Sequence, residues 1–131
     1  MNGPVLAIDP GEVRIGLAIS DPSALVARPL AVLRHRSRKK DALEILRIAQ
    51  AHQARAILVG VAYDAEGEEG PQARRAMRLV EVLRQTGELP VETWDESGST
   101  QIARRQASGA QQLDALAACV ILQEYLDAQA R

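Results

Sequence analysis

Hydrophobic and polar positions fall into blocks along this chain, and the period changes from block to block. Val5 to Ile8 is a short apolar run halted by Asp9-Pro10-Gly11, the pattern of a strand meeting a turn. Arg14 to Ser20 (Arg-Ile-Gly-Leu-Ala-Ile-Ser) reads as a second strand, so the pair predicts a hairpin. A third strand covers part of Ala24 to Leu33, and Pro29 marks an edge or a bend because proline donates nothing to a sheet ladder. Arg34 to Lys40 reads as a basic loop. From Asp41 to His52 the period lengthens: Leu43, Leu46 and Ala49 recur at helical spacing, with Asp41 as N-cap.

Ala56 to Val61 (Ala-Ile-Leu-Val-Gly-Val) is continuously apolar, as expected of a strand covered on both faces. Tyr63 to Gly70 is an acidic loop with two glycines. Pro71 opens a helix at its favoured first position, with Met77, Val80 and Leu83 as inward stripe and Gly87 as its end. Pro90 to Trp94 is another short strand, finishing at Asp95-Glu96. A short helix is expected from about Thr100, and a last one from about Leu113 to Ala128. The apolar face of that last helix reads as Leu113, Leu116, Ala117, Val120 and Ile121. The order βββαβαβαα predicts an α/β fold: a mixed five-stranded sheet, its first three strands antiparallel, with helices on both faces. No repeat or linker interrupts it, so residues 1–131 are expected to form a single domain.

Composition narrows the classes of function. At 131 residues, 47% hydrophobic and 25% charged, the chain is ordinary for a soluble globular domain. Its net charge of −1 hides an asymmetry: residues 1–60 carry 9 basic and 5 acidic groups, residues 61–131 carry 7 and 12. Five of the basic groups, Arg34, Arg36, Arg38, Lys39 and Lys40, lie within one short stretch. Such a run is commonly a solvated face, and it also suits a nucleic-acid backbone. A lone cysteine, Cys119, excludes an internal disulfide and reads as a small packing residue beside an apolar helix face. The two separated histidines do not make a zinc site: His52 reads as a helix terminus, and His35 has no evident partner to make it a catalytic base. No apolar run approaches the roughly 20 residues of a membrane span, so a cytoplasmic protein is expected. With 2% aromatics and no phenylalanine, base stacking on an aromatic platform is not expected.

Three acidic sites occupy informative places. Asp9 ends the first strand, Asp95 and Glu96 end the last, and Asp114 falls in the first turn of the final helix. Ligand sites in open α/β sheets form beyond the carboxyl ends of strands, so three carboxylates could meet there. Hard oxygen donors of this kind suit Mg²⁺ or Mn²⁺. Each also has an ordinary reading. Asp9 is placed as a turn former, Asp114 is favoured by the helix dipole, and Asp95-Glu96 would serve as a solvated loop. Spacing alone leaves function open.

The opening segment changes that. Ala7-Ile8-Asp9-Pro10-Gly11-Glu12-Val13-Arg14-Ile15-Gly16-Leu17-Ala18-Ile19-Ser20-Asp21 closely resembles the opening of the YqgF family, also called RuvX-like, with its aspartate-x-glycine hairpin, Arg-Ile-Gly and Ser-Asp. The resemblance continues through Ile57-Leu58-Val59-Gly60, Gly67-x-x-Gly70-Pro71-Gln72-Ala73 and Asp95-Glu96. It ends with Asp114-Ala115-Leu116-Ala117-Ala118, Ile121-Leu122-Gln123 and Tyr125-Leu126, so it spans nearly the whole chain in order. It implies a ribonuclease-H-like fold and a metal-dependent nuclease. Bacterial members of the family are linked to maturation of the 5′ end of 16S ribosomal RNA, and an older assignment compares them with Holliday junction resolvases. Position by position, Asp9, Glu96 and Asp114 match the family's acidic triad, with Asp95 as a supporting neighbour. The triad implies a two-metal site for Mg²⁺ or Mn²⁺, one ion activating water and the other stabilising the leaving oxygen. Gly11 and Gly16 would keep the hairpin compact and admit a phosphate backbone. Arg14 and the run Arg34, Arg36, Arg38, Lys39 and Lys40 would hold flanking phosphates.

Some positions depart from the family. Gly60-Val61-Ala62 stands where Gly-Leu-Pro is usual, Ser97 stands where an arginine is expected, and the stretch between Glu96 and Asp114 is short. These changes touch substrate grip more than the acids. Ribosomal RNA precursor is the favoured partner and branched DNA the alternative. A further reading is a non-catalytic nucleic-acid-binding module with an eroded clamp loop. Cutting two strands symmetrically would call for a two-fold dimer, and the sequence leaves monomer or homodimer open.

Overall fold

A computed structural model describes residues 3–96 and 110–130. Five strands form one sheet: β1 (Val5–Pro10), β2 (Arg14–Ser20), β3 (Ala27–Arg34), β4 (Ala56–Val61) and β5 (Val91–Asp95). Their order is β3-β2-β1-β4-β5. β1, β2 and β3 pair antiparallel, while β4 runs parallel to both β1 and β5. Three helices are described: α1 (Arg38–Ala51), α2 (Pro71–Thr86) and α3 (Ala110–Gln129). The expected mixed sheet is present, with β3 at an edge and Pro29 beside the irregularity in its pairing with β2.

Strand alternation sorts side chains into two layers. Leu6, Ile8, Ile15, Leu17, Ile19, Ile57, Val59 and Val61 face α1 and α2, meeting Ile45, Leu79, Val80 and Leu83. Val5, Ala7, Ala18 and Leu58 face α3, meeting Ala118, Ile121, Leu122, Tyr125 and Leu126. Each fully buried Leu or Ile contributes about 1.5–3 kcal/mol, so both faces stabilise the sheet. The α3 layer uses small strand residues, and the helix comes very close. A Cβ built at Gly16 would lie 1.8 Å from the Asp114 carbonyl oxygen, and one at Gly60 would lie 2.6 Å from Ile121 Cδ1. Gln123 ties the helix to the sheet edge, accepting from the Ala27 N–H at 2.9 Å and donating to the Leu25 carbonyl at 3.0 Å.

Several sequence expectations are corrected. The basic run is not a loop: Arg34 ends β3 and Arg38 to Lys40 open α1. Its N-cap is Ser37, whose hydroxyl accepts from the Lys40 N–H at 3.2 Å, and not Asp41. Of the α1 stripe, Ala49 is buried and Leu46 packs on the core, but Leu43 is half exposed and Ala42, Ile45 and Ile48 take the inward positions. The last helix begins at Ala110, which places Asp114 beyond the first turn. Its face differs likewise: Leu116 is 39% exposed, and burial passes to Ala115, Ala118, Leu122, Tyr125 and Leu126 beside Ala117 and Ile121. In α2 the expected face holds, with Val80 and Leu83 buried, Met77 packed against them and Gly87 at the C-cap. The short helix expected from about Thr100, Ser97 and the side chain of Leu113 fall outside the described residues. No helix among the described residues is long and apolar enough to cross a membrane.

Candidate active site

Because β1, β4 and β5 run parallel, their carboxyl ends share one edge of the sheet. Ile8 pairs with Val59, so Asp9 and Gly60 follow side by side. Val61 pairs with Asp95, and the Glu96 N–H donates to the Val61 carbonyl at 3.1 Å. The antiparallel β2 begins at the same edge, with Gly16 opposite Asp9. That glycine leaves room for the α3 backbone at Asp114. The result is an open cleft of about 560 Å³, bordered by Asp9, Glu96 and Asp114 together with Gly60, Tyr63 and Arg75.

The three carboxylates differ in setting. Glu96 is 8% exposed and lies against Gly60, where an added Cβ would stand 3.2 Å from its Oε1. Asp114 is held by Arg14, whose Nε donates to Oδ2 at 2.7 Å. Arg14 thus reaches a carboxylate of the cleft itself, beyond the phosphate-holding role expected of it. Asp9 is half-buried at the mouth of the β1–β2 turn. Gly11 is required there, since a Cβ would meet the Arg14 carbonyl oxygen at 2.2 Å. At Gly16 the space belongs to α3, not to an approaching phosphate backbone as the resemblance implied. Asp95 is exposed and does not border the cleft, as alternation along β5 dictates. Oxygen donors of this kind fit a hard divalent cation in their chemistry. Among the described residues, no three His, Cys, Asp or Glu side chains are already grouped to hold a metal ion.

A second pocket of about 290 Å³ adjoins the cleft and shares Pro10, Gly11 and Arg75 with it. Here the expectation that His35 lacks a partner is corrected: its Nδ1 lies 2.5 Å from Asp41 Oδ2. Asp41 is 4% exposed and also accepts from the Arg36 N–H at 3.0 Å. Of the expected basic residues, Arg38 lines this pocket, while Arg34, Arg36, Lys39 and Lys40 are exposed and border neither hollow. Arg75 and the His35–Asp41 pair escaped the sequence reading. Arg75 is one of four arginines in α2, and only the buried face of Ala73, Ala76 and Leu79 turns it toward the cleft rim. Cys119 is partly buried, and that burial pushes its thiol above the ordinary range, consistent with a packing role. Tyr125 is pushed upward too, by burial first and then by its hydroxyl donating to Glu92 at 2.8 Å.

A sheet in the order β3-β2-β1-β4-β5, with carboxylates at its parallel edge, defines the ribonuclease-H-like architecture. Residues 3–128 match the family model RuvX, described as Holliday junction resolvase. The chain belongs to this family. It is 36% identical over 134 residues to a protein of Thermoanaerobacter pseudethanolicus named as a candidate pre-16S rRNA nuclease, covering 95% of this chain and 96% of the relative. A protein of Anaeromyxobacter sp. named in the same way is 40% identical over 130 residues, covering 93% and 95%. Among solved structures, T. thermophilus RuvC in complex with Holliday junction substrate superposes with a TM-score of 0.62 at 17% identity, covering 98% of this chain and 96% of that one. At that identity the likeness concerns the fold.

Proposed function

We propose that this chain, a nuclease of the RuvX family, hydrolyses phosphodiester bonds of structured nucleic acid in the carboxylate cleft, as a single cytoplasmic domain. Asp9, Glu96 and Asp114 are its catalytic residues and would hold Mg²⁺ or Mn²⁺. One observation carries the reading: residues from three distant segments, at two strand ends and one helix, border the same cleft. A pair of such ions, when bound, supplies an activated water and charge stabilisation for the leaving oxygen. The protein's own part is placement. Glu96 is fixed by burial against β4, and Arg14 orients Asp114 while offsetting part of its charge. Gly11 keeps the turn low so that a phosphate backbone can approach, and the exposed cations of β3 and α1 hold flanking phosphates.

The favoured substrate is the 5′ region of 16S ribosomal RNA precursor, on the strength of the relatives' names. The family description favours a second substrate, a four-way DNA junction. Incubating the protein with a labelled structured RNA and a labelled junction, in Mg²⁺, Mn²⁺ or chelator, separates them. Metal-dependent cutting of the RNA supports the first reading. Preferential cutting of the junction by a species of dimeric solution mass supports the second. Binding of both without cutting under any metal would leave a nucleic-acid-binding module.

A further inference from the structure

We propose that the pocket beside the cleft, built from His35, Asp41, Arg38 and Arg75, is a second phosphate subsite that grips an internal phosphodiester of the substrate strand next to the one being cut. This rests on the nuclease reading of the cleft and adds a site to it. The two hollows share Pro10, Gly11 and Arg75, so a strand leaving the cleft along the β1–β2 turn meets this pocket next.

The pocket's chemistry is that of an anion site. Asp41 sits on the buried face of α1, where a carboxylate is costly unless fully bonded. It accepts from the Arg36 backbone N–H and faces His35 Nδ1, while the backbone N–H of His35 donates to the Val13 carbonyl at 2.9 Å. With Asp41 as an acceptor-only carboxylate, the pair places a ring proton of His35 on Nδ1. Asp41 thereby fixes both the ring's orientation and its tautomer, leaving the Nε2 edge of a one-third exposed ring to the ligand. A phosphate oxygen there accepts a charge-assisted hydrogen bond from the Nε2–H of the charged ring.

Two further cations complete the lining, Arg38 from the first turn of α1 and Arg75 from α2. Among the described residues Arg75 has a loose ion-pair partner, with Nη2 3.9 Å from Glu12 Oε1 on the hairpin turn, and Glu12 is largely exposed. The charged groups facing His35 are therefore Asp41 and Arg38 from α1, Arg75 from α2 and, beyond Arg75, Glu12 from the turn. Ser37 adds a hydroxyl to the lining, and Ile15 and Leu79 give it apolar walls that strengthen these interactions.

The test is binding without cleavage: fluorescence anisotropy of a 5′-hydroxyl single-stranded RNA in chelator, at pH 6 and pH 8 and across salt. Phosphate binds the charged ring, so affinity falls as pH rises. His35→Gln and Arg75→Ala are each expected to weaken binding about three- to tenfold at pH 6. In His35→Gln the wild-type difference between pH 6 and pH 8 shrinks, and each variant lowers the slope of log K against log salt by about 0.7. Both side chains are partly exposed, and a melting curve for each variant checks that folding is intact. Wild-type affinity, pH response and salt slope in both folded variants overturns the proposal. An effect seen only with 5′-phosphorylated RNA also overturns it, assigning the pocket to a terminal phosphate. Because no metal is present, this result stands apart from whether the carboxylate cleft cuts.

Discussion

At the scale of single residues, the site depends on what is missing as much as on what is present. Gly16 has no side chain because the Asp114 carbonyl oxygen stands where a Cβ would be. Gly16→Ala must push α3 off the sheet, and overpacking of this severity is expected to cost about 3 kcal/mol or more. Thermal melting checks it, and cleavage should fall further than stability does because Asp114 moves with the helix. Arg14→Ala separates the two effects. The pair with Asp114 is partly exposed, so its loss should cost under about 1 kcal/mol in melting experiments. Cleavage should fall by about tenfold or more as Asp114 loses its orientation. Asp9, Glu96 and Asp114 were all legible as candidates, since each sits at a position that strand and helix patterning marks out. The His35–Asp41 pair was not legible. Asp41 follows a basic run and looks like a cap, and only the actual cap at Ser37 frees it to turn inward.

At the scale of elements, hydrophobic periodicity located every described helix and strand but turned one leucine in each of two helices, Leu43 and Leu116, inward when it faces out. Leucine spacing is a poor guide to the inward face where the sheet leaves room for little more than a methyl group. In α3 the sheet presents Ala7, Ala18, Gly16 and Gly60, and the helix buries Ala115, Ala117 and Ala118 beside Ile121 while Leu116 is left outside. Ile121→Ala should therefore cost about 2–5 kcal/mol and Leu116→Ala close to nothing, as measured by denaturant unfolding. In α1 the same spacing favours Leu43, although Ala42 and Ile45 hold the contact. The β2–β3 connection yields a pH prediction. Asp21 accepts from the Val26 and Leu25 N–H groups at 2.8 Å each, and these bonds hold its carboxyl below the usual value. A depressed carboxyl contributes stability that is complete above its unfolded pKa and is lost as pH falls through the folded one. Asp21→Ala should lower stability near neutral pH and flatten its decline in acid, as read from melting temperatures between pH 2 and 7.

For the whole molecule, one decision organises everything else: the parallel run of β1, β4 and β5 collects their carboxyl ends on one edge, and α3 crosses the opposite face to deliver a third acid there. Strand order was not written in any local pattern. The buried β4 run implied a central strand, but its insertion between β1 and β5 follows from non-local pairing. The charge asymmetry also resolves in space only in part, since Arg38 and Arg75 flank the cleft region while Arg34, Arg36, Lys39 and Lys40 stay on the outer surface. The most direct measurement is single-turnover cleavage by the wild type, Asp9→Asn, Glu96→Gln and Asp114→Asn, with Mn²⁺ and with chelator, each protein's melting temperature being recorded alongside. Each near-isosteric variant should lose about 100-fold or more in rate while remaining folded, and wild-type cutting should stop in chelator. A folded variant that cuts at the wild-type rate, or wild-type protein that cuts without metal, would contradict the assignment of the three carboxylates as one metal-holding centre.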